Sequence, residues 1–390
     1  MLKYLFLLIF MFVCFSSGFA QSEGSSVYTV VTKAGTIVEA SVHSHKHEHE
    51  HEHEHESGHK HEHCETKTHL SVHGDLLFNS EKNADGESEN SIEIRELEFE
   101  LQHRFSEKLK ADVFASLVRE DGVYRIDLEE AYLTFNTAGD RLRARAGQIL
   151  LPFGKVNQIH QHALPYADKP LVIESFFGEE GLKGVGAEVN GKISLGNKTD
   201  LKLTAASVKG MESPSFEENE KLLYFARVGL KTKLSDNSNI EAGYSYITGF
   251  NDIDAFYKTN VKGIDLTYKL EKEGVFRALM LRGEYLWSQR FLPDGNIDAK
   301  GYYIFGQYRL NKDWYLGGRY DYSELPDDNN LNQKSYSAIL TYYPTEYCYY
   351  RLQYKNILSN FEPRKNQFMF QINFLLGTHN DSDHDDSHDF

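Results

Sequence analysis

Cysteine is scarce: only Cys14, Cys64 and Cys348 occur. So few thiols exclude a disulfide framework and a four-cysteine structural zinc site. Proline numbers 8 and tryptophan 2 in the whole chain. After residue 20 no apolar run reaches the roughly 20 residues that a membrane helix needs. Amphipathic helical periodicity is almost absent, which argues against an ordinary large soluble enzyme. Nucleophile motifs, phosphate-cradling glycine loops and closed zinc patterns are missing too. No enzymatic activity, no required cofactor and no nucleic-acid partner are expected.

What the chain does have begins with an export signal over residues 1–20: a short positive start, "MLKY", an apolar run, "LFLLIFMFVCF", and small residues in "SSGFA". Cys14 lacks the small preceding residue of a lipid-modified cysteine, so a cleaved signal is expected, with the mature chain starting near Gln21. Further on, apolar and polar residues alternate with period two. Trp314, Leu316, Gly318, Tyr320 and Tyr322 share one face, and Tyr315, Gly317, Arg319 and Asp321 the other. Tight joins such as "RFSEKL", "LGNKTDL", "LNKDW" and "YPTEY" alternate with long polar ones such as "NSEKNADGESEN", "KGMESPSFEENEK", "RFLPDGNIDAK" and "SELPDDNNLNQKS".

This rhythm predicts an all-β fold over residues 66–377, a transmembrane antiparallel up-and-down β-barrel of about 16 strands. Lipid offers no hydrogen-bond partners, so strands span it only when the sheet closes on itself. The 24 tyrosines and 25 phenylalanines suit a lipid-facing surface and its two boundaries. A soluble aromatic β-sandwich is the competing architecture, disfavoured by the export signal and the loop rhythm. The expected location is the Gram-negative outer membrane, with membrane lipid as partner and both termini in the periplasm. Residues 21–65 and 378–390 form polar tails on that reading.

Strand phase separates lipid from lumen. Phe99, Leu101 and Phe105 are expected outside, with Glu98, Glu100, Gln102 and Arg104 inside. Ile126 and Leu128 are expected outside, with Arg125, Asp127 and Glu129 inside, and the phase slips near Glu130 as at a bulge. Arg141, Arg143 and Arg145 then set a basic row beside an acidic strand. Arg227, Lys231, Lys233, Arg282, Glu284, Arg290, Arg319 and Asp321 extend a mixed lining. So many charges fit a wet channel, although they would also arise if they merely satisfied one another. The acidic long-side loops are expected to draw cations.

One insertion, residues 150–180, is too long and too aromatic to be an idle connection, and is expected to fold inward and narrow the channel. It carries His160, His162 and Asp168, which join Arg141, Arg143 and Arg145 as candidate pore-lining or constriction residues. Its segments "GQILLPFGKVNQIHQHALPYADKPL" and "FFGEEGLKGVGAEV", with "LEEAYLTF" just before, resemble the phosphate-selective porin family of outer-membrane barrels. The resemblance extends to a subgroup of zinc-responsive proteins with histidine-rich ends. It implies a barrel of about 16 strands, often trimeric, with an inserted loop forming the constriction. Phosphate selectivity is not carried over, because a dense basic ladder is not evident and the loops are acidic.

The tails are unusual. His43, His45, His47, His49, His51, His53, His55, His59, His61 and His63 alternate largely with glutamate, and His379, His384 and His388 stand among aspartates. Imidazoles flanked by carboxylates bind zinc-type cations, so divalent metal is a possible ligand; Cys64 either adds a soft donor or is a free thiol. Two solvated tethers would have the same composition. The sequence therefore points to a passive porin for ions or small solutes whose periplasmic tails gather divalent metal, most naturally zinc. The alternatives are a metal-scavenging protein anchored by a closed barrel, an anion- or phosphate-selective porin, and, further off, a barrel hydrolase acting on lipid.

Overall fold

The computed structural model describes residues 28–31, 37–40, 67–83, 86, 88–120, 123–137, 141–211, 213–218, 220–254, 256–272 and 277–377. The signal segment, His43–His63 and His379–His388 lie outside the described residues, as do Cys14 and Cys64. Two units are distinguished. In the first, β1 (Tyr28–Val31) and β2 (Ile37–Ala40) pair antiparallel, Tyr28 opposite Ala40, a hairpin that composition does not predict.

The second unit is a closed barrel of sixteen strands in consecutive order. They are β3 (Lys67–Asn83), β4 (Ser88–Arg104), β5 (Leu109–Glu120), β6 (Val123–Asn136), β7 (Leu142–Leu150), β8 (Lys183–Leu195), β9 (Thr199–Gly210), β10 (Leu222–Ser235), β11 (Ser238–Phe250), β12 (Lys258–Lys272), β13 (Arg277–Leu292), β14 (Gly295–Arg309), β15 (Trp314–Glu324), β16 (Asn332–Thr345), β17 (Cys348–Ser359) and β18 (Lys365–Gly377). Every neighbouring pair is antiparallel, and β18 closes on β3 with Phe370 opposite Phe78. The predicted strand phase is observed: Phe99 and Leu101 are exposed on the outer surface while Glu98 and Glu100 are buried inside.

Aromatic side chains form two rows on the outer wall. Tyr285, Tyr302, Tyr320 and Tyr336 follow one another across β13 to β16, and Trp314, Tyr342, Tyr350 and Phe370 across β15 to β18. Along β15 the rows are separated by the step from Trp314 to Tyr320, about 20 Å of strand at the usual rise. That spacing matches aromatic girdles flanking an apolar band.

Some expected long loops are largely strand. β3 runs to Asn83 and β4 starts at Ser88, and only Pro293 and Asp294 separate β13 from β14, with Gly295 at φ +145° closing the turn. Backbone ladders continue wherever two strands can pair, so polarity alone does not mark a strand end beyond the bilayer. Tight joins do recur at the opposite end of the barrel, where β3 begins and β18 finishes.

Two bulges interrupt the wall on either side of one region. Between β3 and β4, Asp75 faces Glu96 and Leu76 faces Ile94, leaving Arg95 as the extra residue. Between β5 and β6, Phe114 faces Glu130 and Ala115 faces Leu128, leaving Glu129 extra, at the predicted slip.

The long connection 151–182 folds into the barrel. It contains a 3₁₀ turn, Gln161–Ala163, and a short helix, Leu171–Phe177, that packs on β14, β15 and β16. Pro170 starts that helix and Gly178, at φ +86°, ends it. Val156, Tyr166, Ile173 and Phe176 of the connection form one buried cluster with Val261, Leu286, Tyr303, Phe305 and Ile339 of the wall. The hydrophobic core of this barrel is therefore inside it, between loop and sheet.

Candidate functional site

The inserted loop is positioned by backbone bonds to fixed side chains. Asn157 ties its two ends together, donating to the carbonyls of Leu151 (2.7 Å) and Leu182 (3.0 Å) and accepting from the Leu182 N–H (2.7 Å). Glu284 of β13 accepts from the N–H groups of Lys155 (3.1 Å) and Val156 (2.9 Å), and from the Tyr303 hydroxyl (2.9 Å). Gly154 adopts φ +63°, and a Cβ there would lie 1.8 Å from the Glu284 carboxylate, so this approach requires glycine.

The middle of the loop is held by charge. Asp168 accepts from Arg319 (3.0 Å), and also from Lys355 and Gln353. Arg319 also donates to the Asp168 carbonyl (2.7 Å) and stacks over the Tyr166 ring at 4.4 Å. Burial opposes ionisation of Asp168, but Arg319 and Lys355 outweigh it and hold the carboxyl below the usual range. Asp168 thus fastens the loop. Arg282, Glu284, Arg319 and Asp321, expected to line a wet channel, are buried beneath the loop instead, because its apolar face covers that half of the wall.

The other half remains open. A cavity of about 840 Å³ is lined by parts of β3 to β11 and by Pro152, Lys155, Gln158, His160 and His162 of the loop. Ser106, Glu107 and Lys108 of a tight turn also line it, so it reaches the short-turn end of the barrel. Toward that end the lining holds more cations than carboxylates: Arg143 on β7, Lys192 on β8, Lys202 on β9 and Lys231 and Lys233 on β10, with Asp200 3.4 Å from Lys192 and Glu241 3.3 Å from Lys231. At the level of the loop it is acidic and imidazole-rich, with Glu98, Glu100 and Glu130 beside His73, His160 and His162.

Of the six candidate lining residues, Arg143, Arg145, His160 and His162 face this cavity. Arg145 pairs with Glu188 at 2.8 Å. Arg141 is exposed just before β7, where its carbonyl accepts from the Lys192 N–H (2.9 Å). Asp168 is not among the cavity-lining residues.

His160 and His162 meet carboxylates from two strands. His160 Nδ1 lies 3.0 Å from Glu98 and 2.9 Å from Glu129, while its Nε2 lies 3.2 Å from Glu130. Both neighbours on β6 reach one imidazole because the bulge at Glu129 breaks the in-and-out alternation. Burial pulls the His160 pKa down, but Glu98, Glu129 and Glu130 outweigh it and hold it well above its ordinary value. His162 Nδ1 lies 3.4 Å from Glu98, its ring stacks on His73 with centroids 3.9 Å apart, and its carbonyl accepts from the Tyr349 hydroxyl.

The sequence analysis did not single out Arg95, Glu96, Glu130 or His73. A signal for the bulges is present: apolar positions run Ile92, Ile94, then Leu97, Phe99, and again Ile126, Leu128, then Ala131, Leu133, each with one residue too many.

A closed barrel, outward aromatic rows and an inward loop over a charged cavity invite comparison with solved barrels. An anion-selective porin from Comamonas acidovorans superposes with TM-score 0.55 at 9% identity, covering 80% of this chain and 100% of that one. The outer membrane channel DcaP of Acinetobacter baumannii gives 0.53 at 12%, covering 79% and 97%. The fold is that of an outer-membrane porin. A loop L8 deletion mutant of OmpT, an outer membrane protein of Vibrio cholerae, gives 0.53 at 10%, covering 79% and 99%. In sequence, an uncharacterized protein of Aquifex aeolicus (strain VF5) is 28% identical over 319 residues, 69% of this chain and 65% of that protein. The chain thus spans less than two thirds of that relative's length. No family model matches the chain.

Proposed function

We propose that this chain is a passive outer-membrane porin, passing ions or small solutes through a lumen narrowed by its inserted loop. The observation that carries the reading is the loop itself: it fills one half of the barrel with apolar packing and leaves the other half a charged cavity. A mere anchor gains nothing from a lumen divided in this way. The porin fold shared with the Comamonas and Acinetobacter channels supports the same reading. On this proposal the tight turns and both ends of the barrel chain face the periplasm, and the tracts His43–His63 and His379–His388 gather zinc at that mouth. The resemblance to phosphate-selective porins and their zinc-responsive subgroup belongs to the proposal as well. So does a homotrimer, supported by the trimer form in which Vibrio cholerae OmpT was solved.

A second reading, anion preference, is favoured by the basic residues lining the short-turn end, Arg143, Lys192, Lys202, Lys231 and Lys233. Single-channel recording in planar bilayers tests both. Steady ohmic steps are expected, and the reversal potential in a salt gradient reads whether the basic stripe or the acidic level above it governs selection. Complete silence from a folded, inserted barrel would overturn the porin and leave a metal-gathering anchor.

A further inference from the structure

We propose that Glu96, Glu98 and His162 form a binding site in the lumen wall for a divalent cation of the zinc type, with His160 and Glu129 as an adjoining set that shares Glu98. One ligand atom from each of Glu96, Glu98 and His162 lies within 4.8 Å of the others, and the same holds for Glu98, Glu129 and His160. Zinc with bonds of about 2.0–2.2 Å in a tetrahedron sets its ligand atoms about 3.4 Å apart. The His162–Glu98 contact is 3.4 Å and the His160–Glu98 contact 3.0 Å. The His162–Glu98 pair already stands at that spacing, and the Glu96 carboxylate lies within 4.8 Å of both.

A second observation points to a ligand. Glu96, Glu98 and His162 are 6%, 0% and 8% exposed; Glu96 Oε2 and Glu98 Oε1 are buried without a hydrogen-bond partner, and His162 Nδ1 has only its 3.4 Å contact with Glu98. Buried charge left this way is costly, and a bound cation offsets it. Ser116 donates to the other oxygen of Glu96 at 3.0 Å, orienting that carboxylate as an outer-shell partner does. Imidazole donors favour zinc, copper, nickel or cobalt over calcium or magnesium, which prefer all-oxygen shells. Glu98 and His162 both line the cavity, so the ion has a way in. Bound there, it would join the inserted loop to β4.

The site is independent of the tails and of whether the barrel conducts. The test uses crystals of the full chain soaked in zinc sulfate, with diffraction recorded at the zinc absorption edge. An anomalous peak is expected within bonding distance of His162, Glu96 and Glu98. Zinc only elsewhere, or none, would overturn the site and mean that Glu98 merely pairs with the two imidazoles. In solution, where the histidine tails also take up zinc, the parent chain should hold one tight equivalent more than Glu98→Gln, whose lumen site is weakened by about 100-fold or more, at or beyond the upper end of outer-shell losses. Glu98→Gln titrating like the parent would also overturn it. Heat-modifiable gel mobility reports whether the variant barrel folds; if it does not, His162→Asn replaces it and the map of the unaltered chain still decides. A channel that is silent yet shows the peak would sink the porin reading alone.

Discussion

The two halves of the lumen use the same residue types for opposite ends. On β13 to β17, Glu284, Arg319, Asp321 and Lys355 are buried under the loop and hold it by its backbone and by Asp168. On β4 to β10, Glu98, Arg143, Lys192 and Lys233 line the cavity. What separates them is not their charge but what covers them: an apolar segment that needs a wall on one side, and space on the other. A charged residue inside a barrel is therefore no sign of a wet channel until the inserted loop has been located.

The comparison breaks most completely if the loop is removed. Excising residues 155–180 should leave a barrel of the same strand order with severalfold higher conductance; an unchanged conductance would mean that the loop does not restrict flow. Next in size is Asp168→Ala, which leaves the buried Lys355 without its carboxylate and Arg319 with Asp321 alone, a loss on the order of 3 kcal/mol. Limited proteolysis should then cut within the loop while the barrel stays resistant. Because the folded Asp168 carboxyl is held low, its contribution is present above the ordinary carboxylate range and is lost as pH falls further. Protection of the loop should accordingly persist down to about pH 4. Smaller still is the effect of Arg143→Glu with Lys233→Glu on the open wall: a reversal potential shifted toward cations, with thermal stability altered by only about 0.5 kcal/mol per site. Deleting His43–His63 should change least inside the barrel, lowering bound zinc while insertion and conductance stay as they are.

Much of the architecture was legible in the chain, because period-two alternation and loop rhythm are one-dimensional signals of a two-faced sheet. The inward fold of residues 150–180 could be expected for the same reason, an apolar segment with nowhere else to be buried. Which charges it would cover could not, since Arg143 and Arg319 look alike on their strands and differ only in what lies across the lumen. The expected long loops "NSEKNADGESEN" and "RFLPDGNIDAK" proved to be mostly strand because hairpins keep pairing where the lipid ends. Arg95 and Glu130 went unassigned as functional for a related reason: a bulge shifts the alternation by one residue, so a strict period-two reading turns Arg95 outward with Leu97 and Glu130 outward opposite Glu129.

Ala167 of the inserted loop sits across the seam where the first and last barrel strands meet. Its carbonyl accepts from Arg95 of β4 and its N–H donates to Gln353 of β17, while Leu77 of β3 and Met369 of β18 pack together with it. Asp75 of β3 accepts from both Arg95 and Gln371 of β18, completing the stitch. A cylinder sealed one residue out of register would turn Gln371 and Met369 to the lipid and leave Ala167 with half its partners. The loop that shapes the lumen is thus also a gauge of correct closure: it can seat fully only after the two ends of the sheet have found each other in the proper frame.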